Sequence, residues 1–165
     1  VYNMLNIKII CVGKVKEKSL KELINEYTKR LSKYAKLDII ELDDERIPQN
    51  ASFAVETQIK NIESNKIIEK LSKYSNSKIF ILDLNGKEYS SEEFANKINE
   101  TQTYGNSNII FVIGGSLGMS QELLNISKDK ICFSKMTFPH QLIRLFLIEQ
   151  IYRSFKILNN ETYHK

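Results

Sequence analysis

Both histidines of this 165-residue chain, His140 and His164, fall within its last twenty-six residues. The groups around them suit proton transfer and phosphate recognition. Tyr163-His164-Lys165 close the chain with a ring that can stack, an imidazole that ordinarily titrates near pH ~6.5, and an ammonium. Upstream, a proline-started stretch from Pro139 to about Leu158 carries Leu142, Ile143, Leu145, Phe146, Leu147, Ile148, Ile151, Tyr152 and Phe155. At helical spacing these project at nearly every angle, so the helix needs cover on more than one side. In a small domain the second cover is a second subunit, which predicts a homodimer. The polar exceptions fall in two groups: His140 and Arg144 on one side, and Glu149, Arg153 and Lys156 on the opposite side. Glu149 and Arg153 also form a favourable i,i+4 pair, so plain helix stabilisation competes with a substrate role.

Two more segments could hold a ligand. Gly114-Gly115-Ser116-Leu117-Gly118 directly follows the strongest apolar run, Asn108–Ile113. It has neither the Gly-Lys-Ser/Thr of a phosphate-binding P-loop nor the GxGxxG spacing of a dinucleotide fingerprint. It does fit G-x-S-x-G, the nucleophile elbow, with Asp129 and then His140 or His164 following in hydrolase order. A serine hydrolase with Ser116 as nucleophile is therefore the competing enzyme reading. Phe133-Ser134-Lys135-Met136-Thr137-Phe138 alternates apolar and polar residues in a loop, which suits an aromatic heterocycle such as adenine. Its plain alternative is that Met136 and Phe138 only cover the core.

These segments must be positioned by an alternation of strands and helices. Asn6–Gly13, Leu37–Leu42, Lys78–Leu84, Asn108–Ile113 and Lys130–Ser134 read as strands, with a turn expected at Asn85-Gly86. Lys18–Tyr34 places Leu20, Leu23, Ile24, Tyr27, Leu31 and Tyr34 at helical spacing. Ala54–Tyr74 does so with Ile59, Ile62, Ile67, Leu71 and Tyr74 inward. Ser90-Ser91-Glu92-Glu93 supplies a capping box for a helix to about Thr101, and a short helix is expected near Gln121–Ile126. Asp43–Ser52 reads as an exposed loop. The pattern predicts an α/β fold, an open and mostly parallel sheet flanked by helices, in a single domain over residues 4–165. Val1–Asn3 read as residues upstream of Met4. Ligands of such sheets bind outside the carboxyl ends of the strands, which singles out the loops after Leu84, Ile113 and Ser134.

Composition narrows the remaining classes. No apolar run approaches the roughly 20 residues that span a bilayer, so no membrane partner is expected. Cys11 and Cys132 stand alone in apolar runs and form neither a disulfide framework nor a zinc set, so no metal is expected and a reducing, cytoplasmic setting is. The net charge of +4 is small, but nine Lys/Arg against three acids lie between Lys8 and Lys36. Seven against three lie between Lys128 and Lys165. Basic segments alone are weak support for an RNA partner.

Four ordered motifs add a resemblance: Phe111–Gly118, Ser134–Leu142, Glu149–Arg153 and Tyr163–Lys165, with Val12-Gly13-Lys14 closing the first strand. Together they resemble the ribosomal large subunit methyltransferase H family of SPOUT, or α/β-knot, methyltransferases, over everything from Met4 onward. Leu117, Met119 and Asn159-Asn160 vary the family pattern. The resemblance implies a C-terminal deep trefoil knot, an exception to unknotted topology. It implies S-adenosyl-L-methionine held by Leu82, Gly114, Phe133, Ser134, Lys135, Met136, Thr137 and Phe138. It also implies a homodimer and methylation of N3 of a pseudouridine in helix 69 of 23S rRNA, on the assembled ribosome and without a metal. His164, Tyr163 and Arg153 are then the candidates for positioning and proton transfer, and Arg144, His140 and Lys165 for holding the RNA.

Overall fold

The computed structural model describes residues 4–165, so the reading of Val1–Asn3 lies outside the described residues. Five strands, β1 (Leu5–Val12), β2 (Ala35–Leu42), β3 (Lys78–Glu88), β4 (Asn108–Ile113) and β5 (Lys130–Cys132), form one sheet in the order β2-β1-β4-β3-β5. All four pairings are parallel. Parallel strands covered on both faces read as continuous apolar runs, and β4 shows why: Ile109 to Val112 are each at most 1% exposed. Alternate residues serve opposite faces. Ile109, Phe111 and Ile113 pack with α1 (Lys18–Leu31), α3 (Ser91–Thr103) and α5 (His140–Leu158), whereas Ile110 and Val112 pack with α2 (Phe53–Leu71) and α4 (Gln121–Leu124).

Helix α5 runs against both α1 and α3. Its Leu147, Ile148 and Ile151 are fully buried, each contributing roughly 1.5–3 kcal/mol of apolar burial. Leu142 and Phe146, one turn apart, stay 37% and 40% exposed, and Met136 in the preceding loop 73%. One chain therefore leaves part of the helix's apolar surface uncovered. Pro139 caps the helix, accepting from the amides of Leu142 and Ile143, and the helix proper starts at His140. At the other end Asn160 takes a left-handed conformation, φ 53°, which asparagine tolerates and which redirects the chain into the tail.

Four sequence expectations need correction. Asn85-Gly86 does not end its strand: β3 continues to Glu88 after a register break between Leu82 and Lys87, and its second half runs beside β5. A Cβ at Gly86 would lie 2.7 Å from the Lys130 carbonyl carbon, so glycine permits this close backbone approach. β5 ends at Cys132, releasing Phe133 and Ser134 into the loop. The helices after β1 and β2 stop at Leu31 and Leu71, leaving Tyr34 and Tyr74 beyond them. Leu23 and Ile62 are 44% and 37% exposed rather than inward. On α2 the buried row runs Ile59, Glu63, Ile67, Leu71 at steps of four, which turns Ile62 outward and takes Glu63 in.

Candidate active site

The Leu82–Asn85 stretch of β3, at its register break, meets the loops after β4 and β5 around one cavity of about 400 Å³ at the carboxyl end of the sheet. That volume is within the range of small-molecule sites. Of the eight residues assigned to the cofactor, Leu82, Gly114, Phe133, Ser134, Met136, Thr137 and Phe138 line it, as does His140, and Lys135 does not. Lys135 is exposed at the loop's outer side. Cys132 Sγ contacts the Ser134 carbonyl at 3.1 Å, and Ser134 Oγ accepts from the Met136 amide at 3.0 Å. These bonds fold the loop back on itself with apolar side chains toward the cavity, a setting into which a flat heterocycle with polar edges fits.

The glycine loop is held from below by α2. Ser64 Oγ accepts from the Ser120 amide at 2.8 Å, and Gly118 N donates to the Gly115 carbonyl at 3.0 Å. Glu63 is only 4% exposed; its Oε2 accepts from the Glu45 amide at 3.0 Å. Burial first, then the neighbouring Asp44 and Glu45 charges, push its carboxyl above the usual range against the lowering effects of that amide and Lys66. A Cβ at Gly115 would lie 2.5 Å from Glu63 Oε1, so the glycine makes room for the acid. Sequence reasoning missed Glu63, although its place four residues after Ile59 and four before Ile67 marks the buried row.

The tail docks on α5 and α3. Tyr163 donates its hydroxyl proton to Glu149 Oε1 at 3.0 Å and meets the Tyr152 ring edge-on at 4.9 Å. Arg153 donates to the same Glu149 oxygen from Nε (3.1 Å) and Nη2 (2.6 Å), and its guanidinium lies over the Tyr163 ring. Its Nη1 lies 3.1 Å from His164 Nδ1, and His164 Nε2 lies 2.7 Å from Glu92 Oε1. Arginine only donates and a carboxylate only accepts, so this pattern selects the Nε2–H tautomer. Glu92's carboxyl is held below its usual range chiefly by that histidine bond. Tyr163's phenol is pushed well up by burial, then by its bonds to Tyr27 and Glu149. Arg153's guanidinium is raised further by its bond to Glu149, so it stays charged. The three catalytic candidates are thus brought together within one network, and Lys165 extends past it, exposed.

Arg144 is placed differently. It is 1% exposed, with Nη1 2.7 Å from Glu41 Oε2, Nη2 3.2 Å from the Gly13 carbonyl, and Nε without a partner. The guanidinium knits α5 to the ends of β1 and β2 and offers nothing to RNA. Its neighbour His140 faces the cavity, and burial, then Arg144's charge, lower its imidazole pKa, keeping it neutral at neutral pH. The hydrolase geometry does not form. Asp129 is paired with Lys78 at 2.6 Å and Lys97 at 3.8 Å, and Ser116 sits in a turn well ahead of α4 rather than in an elbow. Among the described residues no group of three or more His, Cys, Asp or Glu side chains could hold a metal ion. No helix there is long and apolar enough to cross a membrane.

Comparisons with known proteins agree with this layout. A family model described as predicted SPOUT methyltransferase matches residues 5–164. The ribosomal RNA large subunit methyltransferase H 1 of Clostridium perfringens is 55% identical over 161 residues, covering 98% of this chain and 100% of its own. The ribosomal RNA large subunit methyltransferase H of Clostridium botulinum gives the same identity and coverage. The structure of a probable methylase family protein from Haemophilus influenzae superposes with a TM-score of 0.55 at 14% identity, over 96% of this chain and 70% of that one, and shares the fold. With the family model matching nearly the whole chain and relatives aligned over their full length, this chain belongs to the SPOUT, or α/β-knot, methyltransferases, in the ribosomal RNA large subunit methyltransferase H family.

Proposed function

We propose that residues 4–165 act as one domain that methylates N3 of a pseudouridine in helix 69 of 23S rRNA, on the assembled ribosome, as a cytoplasmic homodimer. The observation carrying this is the convergence of the Leu82–Asn85 stretch of β3 and the loops after β4 and β5 on one cavity in a chain of this family. S-adenosyl-L-methionine fits that cavity by its chemistry, and it supplies an electrophilic methyl group on a sulfonium. Leu82, Phe133, Met136 and Phe138 would flank its adenine, and Gly114 would let backbone approach closely. Lys135 and Thr137 would complete the loop around it. The C-terminal trefoil knot of the family is part of the same proposal. The uncovered Met136, Leu142 and Phe146 support the dimer.

The acceptor nitrogen must be held in line with the methyl and lose its proton. Within the tail network, Tyr163's phenol keeps its proton because its pKa is raised. Arg153 stays cationic and orients its neighbours. His164 is left as the group that moves the proton, with Lys165 beside it for the RNA backbone. Tritiated-methyl transfer to ribosomes lacking the modification, with and without the pseudouridine, tests the reading. Transfer that persists without the pseudouridine would refute the acceptor, and no transfer to either would refute the reaction.

A further inference from the structure

S-adenosyl-L-methionine carries a carboxylate and an ammonium on its amino-acid end, and a cavity that holds it has to answer both charges. Apolar walls suit the adenine but leave that end unexplained. Among the side chains lining the cofactor cavity, Lys60 and Asp83 carry charge, while His140 is kept neutral. Lys60 comes from α2, outside every segment that the sequence connected with a ligand. Its placement follows from the helix repeat. It stands one turn before Ser64, whose Oγ accepts from the Ser120 amide at 2.8 Å below the glycine loop, and i,i+4 positions share a face. Lys60 is partly buried and forms no ion pair among the described residues, whereas Lys66 on the same helix is held by Glu45 at 2.8 Å. A partly buried ammonium without a counter-ion is poorly compensated, and an arriving carboxylate completes it. Asp83 Oδ1 accepts from the Asn85 amide at 3.3 Å, and its negative charge turns a carboxylate away from the β3 wall.

We infer that Lys60 holds the carboxylate of S-adenosyl-L-methionine, so that the amino-acid end lies along the glycine loop toward α2 while the adenine sits between β3 and the Phe133–Phe138 loop. This placement rests on the methyl-transfer reading and adds the donor's second anchor. The ammonium and the ribose hydroxyls, which donate, are left for Asp83. Methyl transfer turns the sulfonium into a thioether and leaves the carboxylate as it was. Lys60 therefore binds substrate, transition state and product alike, which sets cofactor affinity without changing the rate at saturation. It takes no part in removing the acceptor's proton, which stays with His164.

Calorimetry on the wild type, Lys60→Met, Lys60→Arg and Lys70→Met compares S-adenosyl-L-methionine with its decarboxylated form. Methionine keeps the bulk of the stem without the charge, arginine keeps the charge, and Lys70 changes the same helix outside the cavity. The wild type should bind the intact donor about tenfold more tightly, the lower end for a charge-assisted hydrogen bond at a partly exposed site. Lys60→Met should bind both forms with the weaker affinity, whereas Lys60→Arg and Lys70→Met should keep the preference. In Lys60→Met, S-adenosyl-L-homocysteine should weaken by the same factor, and methyl transfer should show a raised KM for the donor at unchanged kcat. 5′-Methylthioadenosine, which lacks the amino-acid end, should bind all four proteins equally and so reports an intact pocket. A preference that persists in Lys60→Met, or equal losses for the intact donor and 5′-methylthioadenosine, overturns the assignment and leaves the reaction standing. So does unchanged donor affinity with a raised KM for ribosomes, which moves Lys60 to the RNA. A wild-type chain that binds none of these ligands and transfers no methyl group removes the reaction and this assignment together.

Discussion

Removing the Glu41 carboxylate should cost more than removing the arginine it serves. In Glu41→Ala the Arg144 guanidinium, 1% exposed, would lose its 2.7 Å carboxylate partner and keep its 3.2 Å contact to the Gly13 carbonyl, and the Val15 amide would lose its 3.2 Å acceptor as well. Breaking a fully buried pair from one side costs about 3–5 kcal/mol. Glu41's side chain is itself 36% exposed, so water replaces part of the interaction and about 2–3 kcal/mol is the better figure. At this chain length that lowers Tm by roughly 4–12 °C. Arg144→Met removes the charge together with the unpartnered Nε at similar volume, and should cost less than ~1.5 kcal/mol. The double variant should resemble Arg144→Met, so the coupling should match the Glu41→Ala cost, about 2–3 kcal/mol. Urea and thermal unfolding of the four proteins, with cofactor titration as a check on the site, measure the cycle. Additive costs, or an Arg144→Met chain of wild-type stability that binds the cofactor yet no longer engages ribosomes, would refute the buried-brace account and return Arg144 to the RNA.

Deleting Tyr163–Lys165 should abolish methyl transfer while cofactor binding stays near wild type; full activity of the truncated chain would reject the tail's role. Leu142→Glu with Phe146→Glu should shift sedimentation to a monomer, because charges on a covered apolar face are left unpaired; an unchanged sedimentation coefficient would remove this face from the interface. Cys11's thiol is pushed up to about 11 by burial, with Arg144 and its hydrogen bond opposing. The folded state therefore holds that proton where an unfolded thiol, ordinarily near ~8.5, has released it. Stability should fall as pH rises from about 9 toward 11, and Cys11→Ala should flatten that slope in pH-dependent unfolding.

The strand and helix order was legible in the chain because β-branched runs and 3.6-residue periodicities are local signals, and so was the carboxyl end of the sheet as the place where the 400 Å³ cavity opens. The glycine loop, the Phe133–Phe138 loop and the terminal tripeptide stood out by residue type alone. Their convergence did not. Residues from Leu82 to Phe138 share one cavity only because β4 lies between β1 and β3, which no window of sequence encodes. Arg144 and Glu63 show the same limit more sharply. A charged residue read along the chain is assigned to solvent or substrate, since burying a charge is costly. Whether a partner makes that burial tolerable depends on neighbours far away in sequence, here Glu41 for the arginine and the Glu45 amide and Gly115 for the acid. The sequence by itself determined which groups this protein has available for chemistry. The tertiary structure decided which of them reach the cavity and which brace its walls, because long-range packing sets the desolvation each charge must meet.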